Sequence, residues 1–263
     1  MATSRDSISA VALIPARQGS KRVPAKNIRR LGAHPVIAYS IAPAIESGIF
    51  ESVIVSTDSE ETAAIARHYG AEVPFLRPAQ FAGDASPDIE WVEYTLTEFR
   101  RRGRSWDCFS LLRPSSPFRT AGMIRRAWAR FQAQDGVDSL RAVEKCGQHP
   151  GKMWVVNGDR MSPLLSGGPV DQPWHSTPYQ ALPPVYVQNA SLEIAWTAVV
   201  FDRRTIAGDV LVPFLTEDHE GFDINDPIDW MVAERLIATG EARLPDVPQI
   251  AYEAQWANSN SIR

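Results

Sequence analysis

The sequence predicts an α/β fold in which helices cover both faces of a mostly parallel sheet. Short apolar runs that suit buried strands alternate with stretches of helical periodicity, and repeated β-α-β units of this kind build parallel sheets. The chain has 263 residues, of which 44% are hydrophobic, enough for one large domain with a substantial core. We therefore expect a three-layer sandwich in a single domain spanning residues 1–263.

The predicted strands are short apolar runs that end at turn-forming residues. The first of them leads into a glycine-containing loop, and the second, SVIVS, ends at Thr57-Asp58. Strands are predicted at residues 10–16, 52–56, 73–76, 108–112 and 139–143, and strand-like alternation returns at residues 191–201.

The predicted helices begin at residues that favour helix starts. Ser59 and Thr120 suit the N-cap position, and Pro227 suits the first helical position. Pro43 lies inside the first helix and is expected to kink it. Helices are predicted at residues 35–48, 59–69, 86–102, 120–131 and 226–238.

The alternation lapses between about residues 147 and 186. This segment is rich in Pro, Gly, Ser and Trp, and it is too long for a bare loop in a compact domain. We expect it to form a small β-rich excursion inserted into the domain. The polar tail from residue 243 onward is either frayed or an arm packed on a partner.

Composition limits the partners. The net charge of −4 argues against bulk affinity for nucleic acid or anionic membranes, so a small anion is the expected partner. The two cysteines form no disulfide framework, and the five histidines show no metal-binding spacing. The N-terminus has no signal-peptide core and no apolar run is long enough to span a membrane, so we expect a cytoplasmic enzyme.

A basic loop follows the first strand. Six basic residues and no acidic one occur between Arg17 and Arg30, and Gly19 allows close approach of the backbone. A cationic loop at the carboxyl end of a buried strand is suited to gripping a polyphosphate, although a solvated basic turn is the alternative. The loop matches neither the GxGxxG nor the GxxxxGK[ST] template.

Six blocks occur in order along the chain: PARQGSKRVPAKN (15–27), VIVSTD (53–58), LRPAQFAGD (76–84), LLRPSSPFR (111–119), HPGKMW (149–154) and FDINDPIDWMVAE (222–234). Together they resemble the acylneuraminate cytidylyltransferase family, relatives of the KDO cytidylyltransferases, which make CMP-sugars from CTP. The resemblance implies a Rossmann-like nucleotidyltransferase sheet. It also implies Mg²⁺-dependent transfer of CMP from CTP to an acidic acceptor, with release of pyrophosphate.

The resemblance also implies roles for individual residues. Arg17, Lys21 and Asp223 are expected to act in the reaction, with Asp223 and Asn225 at the metal. The expected nucleotide-binding residues are Arg17, Gly19, Ser20, Lys21, Lys26, Asn27, Arg77, Asp84, Ser86 and Ser115. The expected acceptor-binding residues are Arg113, Ser116, Arg119, Lys152, Tyr179 and Asn189.

Three positions depart from the family pattern. Arg113 replaces a glutamine, Tyr179 replaces an arginine, and Asn225 replaces the second acid of a D-x-D element. Asn225 can offer Mg²⁺ an oxygen but no charge, and Arg113 would add a bidentate anion site nearer the nucleotide. Two acceptors therefore stay open: an ulosonic (sialic-acid-like) sugar acid, and a small phosphonic acid such as phosphonoformate.

Other functions remain as alternatives. The chain could be a non-catalytic nucleotide-binding module, or a guanylyl- or uridylyltransferase acting on a sugar phosphate. The resemblance also implies a homodimer, in which the excursion at residues 147–186 helps to close the partner's site.

Overall fold

The computed structural model describes residues 8–253, and residues 1–7 and 254–263, with the end of the predicted tail, lie outside the described part. The strands are β1 (Ala10–Pro15), β2 (Arg30–Leu31), β3 (His34–Pro35), β4 (Ser52–Ser56), β5 (Cys108–Leu111), β6 (Ser139–Lys145), β7 (Trp154–Asn157), β8 (Arg160–Pro163), β9 (Tyr186–Trp196) and β10 (Leu211–Leu215). The helices are α1 (Ala38–Ser47), α2 (Glu60–His68), α3 (Asp88–Arg101), α4 (Ala121–Gln132), α5 (Thr197–Arg203) and α6 (Pro227–Thr239).

A six-stranded sheet forms the centre, in the order β10-β6-β9-β5-β1-β4. Strand β1 runs parallel to both β4 and β5, while β9 runs antiparallel to β5. The predicted α/β class with a mostly parallel sheet is confirmed.

Both faces of the sheet are buried, as three-layer packing requires. Ala10, Ala12 and Ile14 of β1 face a core cluster shared with α1, α2 and α4. Val11 and Leu13 point to the opposite face, where α3 and α5 pack. Because strand side chains alternate in direction, one continuously apolar strand supplies both layers.

Three predicted helix starts are confirmed, whereas α1 begins at Ala38 because Pro35 lies in β3, and α3 begins at Asp88 instead of Ser86. The Ser59 and Thr120 hydroxyls accept the backbone N–H groups of Thr62 and Met123. Asp226 caps α6 through a capping box, and Pro227 is its first residue.

Two predicted strands differ in the structure. Within the described chain, residues 73–76 form no strand; only Glu72 makes an isolated bridge, and Pro74 lacks an N–H for a ladder. The alternation at residues 191–201 ends at Trp196, because Thr197 begins α5. Short apolar runs do not distinguish buried strands from buried helices.

Residues 143–188 form a compact unit of their own, which contains the predicted 147–186 excursion. Its hairpin of β7 and β8 is accompanied by short 3-10 turns. His149 is buried there, with one ring nitrogen accepting from the Gly151 N–H and the other bonded to the Pro183 carbonyl. No helix among residues 8–253 is long and apolar enough to cross a membrane.

Candidate active site

The carboxyl ends of β1, β4 and β5 meet at one edge of the sheet, because the three strands are parallel. The loops that follow β1 and β5 help to line a cleft of about 560 Å³ at this edge, which is where open α/β sheets place their sites. The predicted site residues that line it are Arg17, Ser20, Lys21, Lys26, Asn27, Arg77, Asp84, Ser86, Arg113, Ser115 and Asn225.

Internal hydrogen bonds fix the shape of the basic loop. The Asn27 amide donates to the Arg17 carbonyl over 3.2 Å, and the Gln18 N–H donates to Asp58 Oδ1 over 2.8 Å. Since Ser59 caps α2, Asp58 is left to order the loop.

Asp84 lies among the cationic side chains of the cleft. Its carboxylate pairs with the Arg17 guanidinium at 2.8 Å and makes a short contact with the Lys21 ammonium. Hydrogen bonds from Lys21 and then Arg17 hold the pKa of Asp84 below its usual value. The Asp84 carboxylate therefore lies between two predicted phosphate-binding groups.

Arg77 forms part of the cleft wall and is itself buried. Its guanidinium donates to the Ser56 hydroxyl at 3.0 Å and the Ser56 carbonyl at 2.9 Å, and lies 4.5 Å from the centre of the Trp91 ring. Burial lowers the pKa of Arg77 to about 10, so it stays charged at neutral pH. Stacking on Trp91 adds a cation–π contact.

Arg113 is not a free bidentate anion site. Its Nη2 donates to Asp88 Oδ2 at 2.7 Å and to Glu193 Oε1 at 3.0 Å. Glu193 is almost fully buried and also pairs with Arg141. Two arginines and two carboxylates therefore balance one another, contrary to the expectation that Arg113 adds an unpaired cation.

Two further predicted acceptor-binding residues are buried away from the cleft. Arg119 is completely buried and donates to the Ser191 and Arg113 carbonyls and the Ser40 hydroxyl. Burial lowers its pKa to about 9. Contrary to prediction, Arg119 ties the β5 loop to α1 and β9 rather than facing an acceptor. Ser116 is fully buried too, and its hydroxyl has no hydrogen-bond partner.

The remaining predicted residues lie in different places. The Asn189 amide donates to the Thr216 hydroxyl at 3.0 Å. Lys152 and Tyr179 belong to the 143–188 unit, where they donate to the His175 and Cys146 carbonyls. A side chain at Gly19 would meet open space, so sterics do not require glycine there.

Asp223 and Asn225 form a pair in the segment before α6. The Asn225 amide donates to Asp223 Oδ2 at 2.7 Å, while Asp223 Oδ1 is buried without a hydrogen-bond partner. Lys26 reaches this segment from the basic loop and donates to the Ile224 carbonyl at 2.7 Å. Burial lowers the pKa of Lys26, although the Asp223 carboxylate opposes that shift.

An unpartnered carboxylate oxygen fits a hard divalent cation such as Mg²⁺. Within residues 8–253 no group of three His, Cys, Asp or Glu side chains could hold a metal by itself. Asp223 therefore fits a shared site in which a ligand supplies further oxygens.

Sequence analysis missed Asp88, Trp91 and Glu193. Asp88 reads as an ordinary first-turn acid of a helix, and Trp91 as a core residue of the same helix. Glu193 lies in an apolar strand, and a charged residue in such a run is the one signal that could have identified it.

A parallel sheet with a cationic cleft at its carboxyl edge is typical of nucleotide-binding α/β proteins. The sequence profile described as Cytidylyltransferase matches residues 11–94. The chain is 34% identical to the CMP-N,N'-diacetyllegionaminic acid synthase of Legionella pneumophila, over 89% of this chain and 98% of that protein. It is 41% identical to the N-acylneuraminate cytidylyltransferase of Escherichia coli O18:K1:H7, over 51% of this chain and 31% of that protein.

The fold is also similar to a solved CMP:2-keto-3-deoxy-manno-octonic acid synthetase complexed with CTP. The TM-score is 0.63 at 13% identity, over 88% of this chain and 99% of that one. The chain belongs to the acylneuraminate-type cytidylyltransferase family, the CMP-sugar synthetases.

Replacing Asp84 tests whether its carboxylate competes with phosphate. In Asp84→Asn, Arg17 and Lys21 lose their internal anion, so we expect CTP to bind about two- to fivefold more tightly. Titration calorimetry at low and high salt measures the gain, which should shrink as salt screens the pair. Asp246→Asn, at an exposed position outside the cleft, is the matched control, and weaker CTP binding by Asp84→Asn would contradict the prediction.

Proposed function

We propose that this protein transfers CMP from CTP to a nonulosonic sugar acid and releases pyrophosphate. An acceptor oxygen attacks the α-phosphorus, the bond from that phosphorus to the α,β-bridging oxygen breaks, and pyrophosphate leaves with that oxygen. The proton of a hydroxyl acceptor passes to water. The observation that carries the proposal is the cleft itself. It brings Arg17, Lys21 and Lys26 together at the carboxyl edge of the sheet.

In this proposal the basic loop binds the triphosphate. Arg17 and Lys21 exchange the Asp84 carboxylate for phosphate oxygens, and charge-assisted hydrogen bonds of this kind are the stronger ones. Ser20 and Asn27 line the same part of the cleft and supply neutral donors. The leaving pyrophosphate gains negative charge in the transition state, so fixed cations lower the barrier.

Asp223 is the proposed metal ligand, assisted by Asn225. Mg²⁺, when bound, would neutralise charge on the phosphate oxygens and help to orient them. The free Oδ1 of Asp223 supports this role, and the Asn225 amide holds the other carboxylate oxygen. Because Asn225 carries no charge, the chain contributes one formal negative charge from this pair.

The acceptor is the finer part of the proposal. The legionaminic-acid and acylneuraminate enzymes reported above support a sugar acid. The small-phosphonate alternative was based on two departures from the family pattern, Arg113 as a new anion site and Tyr179 in place of an arginine. The pairing of Arg113 with Asp88 and Glu193 removes the first of these supports. The Tyr179 hydroxyl donates a hydrogen bond to the Cys146 carbonyl, so this position supplies no cation in place of the family's arginine.

A homodimer is part of the same proposal. In the 143–188 unit, Val156 and Met161 are 69% and 61% exposed and lie opposite each other on the β7–β8 hairpin. Large apolar side chains that are exposed next to each other are typical of a surface that binds another protein. We propose that a second copy of the chain binds here. Light scattering should give twice the chain mass, and Val156→Glu should give the single-chain mass; a monomeric unaltered protein contradicts the dimer.

A panel assay tests the function. Pyrophosphate release is measured with CTP, GTP or UTP against N-acetylneuraminic, legionaminic and pseudaminic acids, KDO, phosphonoformate and a sugar phosphate. We expect turnover with CTP and a nonulosonic acid. Turnover with phosphonoformate alone, preference for GTP or UTP, or CTP binding without turnover of any acceptor would each overturn the proposal in favour of a named alternative.

Lys21 is expected to give the largest loss of activity among the loop residues, with Arg17 next. Removing one well-placed charge-stabilising donor raises the barrier by about 3 kcal/mol, or roughly a hundredfold in rate. We therefore expect Lys21→Ala to lower kcat by about that factor and Lys21→Arg to keep more activity. Arg130→Ala, an exposed charge loss on α4, is the control, and equal rates for both alanine variants would exclude a role for Lys21.

A further inference from the structure

Asp88 is an anomaly in a cleft rich in positive charge. It is the first residue of α3, and its side chain is 30% exposed at the cleft wall. A carboxylate at this place repels phosphate, which the surrounding cations attract. Asp84, the other carboxylate among the described residues that line the cleft, is already neutralised by Arg17 and Lys21. Asp88 is also paired, with Arg113 at the cleft wall, so what it offers a ligand is its remaining capacity to accept hydrogen bonds.

The position of the Asp88 carboxylate is fixed on both sides. Oδ1 accepts the Trp91 indole N–H at 2.7 Å, and Oδ2 accepts Arg113 Nη2 at 2.7 Å. Arg113 is held in turn by buried Glu193, and Arg77 lies over the Trp91 ring. A side chain held by several partners keeps one geometry, as selective recognition requires.

Asp88 remains a hydrogen-bond acceptor at neutral pH. Burial alone raises the pKa of its carboxyl, but Arg113, Trp91 and Arg77 outweigh burial and leave the pKa below the ordinary value. An ionised carboxylate has about four lone-pair positions, and Trp91 and Arg113 use one on each oxygen. The Asp88 carboxylate can therefore accept further hydrogen bonds from hydroxyl groups. Acidic residues in dinucleotide-binding folds accept hydrogen bonds from ribose hydroxyls in the same way.

We propose that Asp88 is a specificity-determining residue that accepts hydrogen bonds from sugar hydroxyl groups of a ligand bound in the cleft. The hydroxyls belong either to the ribose of CTP or to the sugar-acid acceptor. The inference rests on the proposed function, because both ligands come from it. A purely structural Asp88, which only anchors Arg113 and Trp91, would affect hydroxylated and deoxygenated ligands equally.

The experiment compares CTP, 2'-deoxyCTP and 3'-deoxyCTP by titration calorimetry. We expect the unaltered protein to bind CTP about tenfold more tightly than at least one deoxy analogue, because the analogue lacks a hydroxyl that donates a charge-assisted hydrogen bond to the Asp88 carboxylate. In Asp88→Asn this ratio should fall towards one. Glu90→Gln removes an exposed acid two residues along the same helix and should keep the original ratio.

A second arm identifies the source of the hydroxyls. Equal binding of CTP and both deoxy analogues by the unaltered protein, with an about tenfold higher KM for N-acetylneuraminic acid in Asp88→Asn, assigns the contact to the acceptor. Thermal melting checks that the variant is folded, and Asp88→Glu replaces it if it is not.

The inference is overturned if Asp88→Asn changes neither the ratio of CTP to deoxyCTP affinities nor the KM for N-acetylneuraminic acid. It is also overturned if all affinities fall by one common factor. CTP binding without either effect leaves the proposed function intact and removes this inference alone. Failure of the unaltered protein to bind CTP removes both.

Discussion

Mutual repulsion among cations is the constraint on which the site depends. Arg17, Lys21 and Lys26 converge at one sheet edge because β1 delivers their loop there. Acceptors from distant segments hold them: Asp84 pairs with Arg17 and Lys21, and the Ile224 carbonyl accepts from Lys26. These internal acceptors fix the positions of the cationic side chains, and a fixed geometry lowers the cost of binding an anion.

The same principle extends beneath the cleft. The positively charged Arg119 side chain is completely buried. Its guanidinium donates hydrogen bonds to three acceptors, which lie on α1, on β9 and in its own loop. An unpaired buried charge is strongly destabilising, so these contacts are needed for the loop after β5 to keep its shape. The residue acts on the site by shaping the backbone at Arg113, without contact with the cleft.

Local signals in the sequence predicted much of the fold. The apolar β1 run, the caps at Ser59 and Thr120 and the proline at 227 act within a few residues, so they are visible in the sequence. Residues 197–201 were assigned wrongly to a strand, because a short apolar run suits either a strand or a helix. The ordered motifs also indicated the family, and most of the predicted nucleotide-binding residues do line the cleft.

The balance of charge around Arg113 could not be predicted in this way. Its partners Asp88 and Glu193 are 25 and 80 positions away, and only the completed sheet and α3 bring them together. The burial of Arg119 is also a tertiary effect, since its motif reads equally well as a surface loop. The sequence therefore indicated most of the residues that line the cleft, but not which of their charges are paired within the protein.

The sharing of Glu193 by Arg113 and Arg141 limits how this pocket can diversify. Replacing Arg113 alone by the family's glutamine would remove the ion pair of Asp88 and leave Glu193 paired with Arg141 only. The effects of substitutions at these positions on the free energy of unfolding would therefore not be additive. Positions 88, 113, 141 and 193 share one balance of charge. A change at any one of them is therefore expected to require matching changes at the other three.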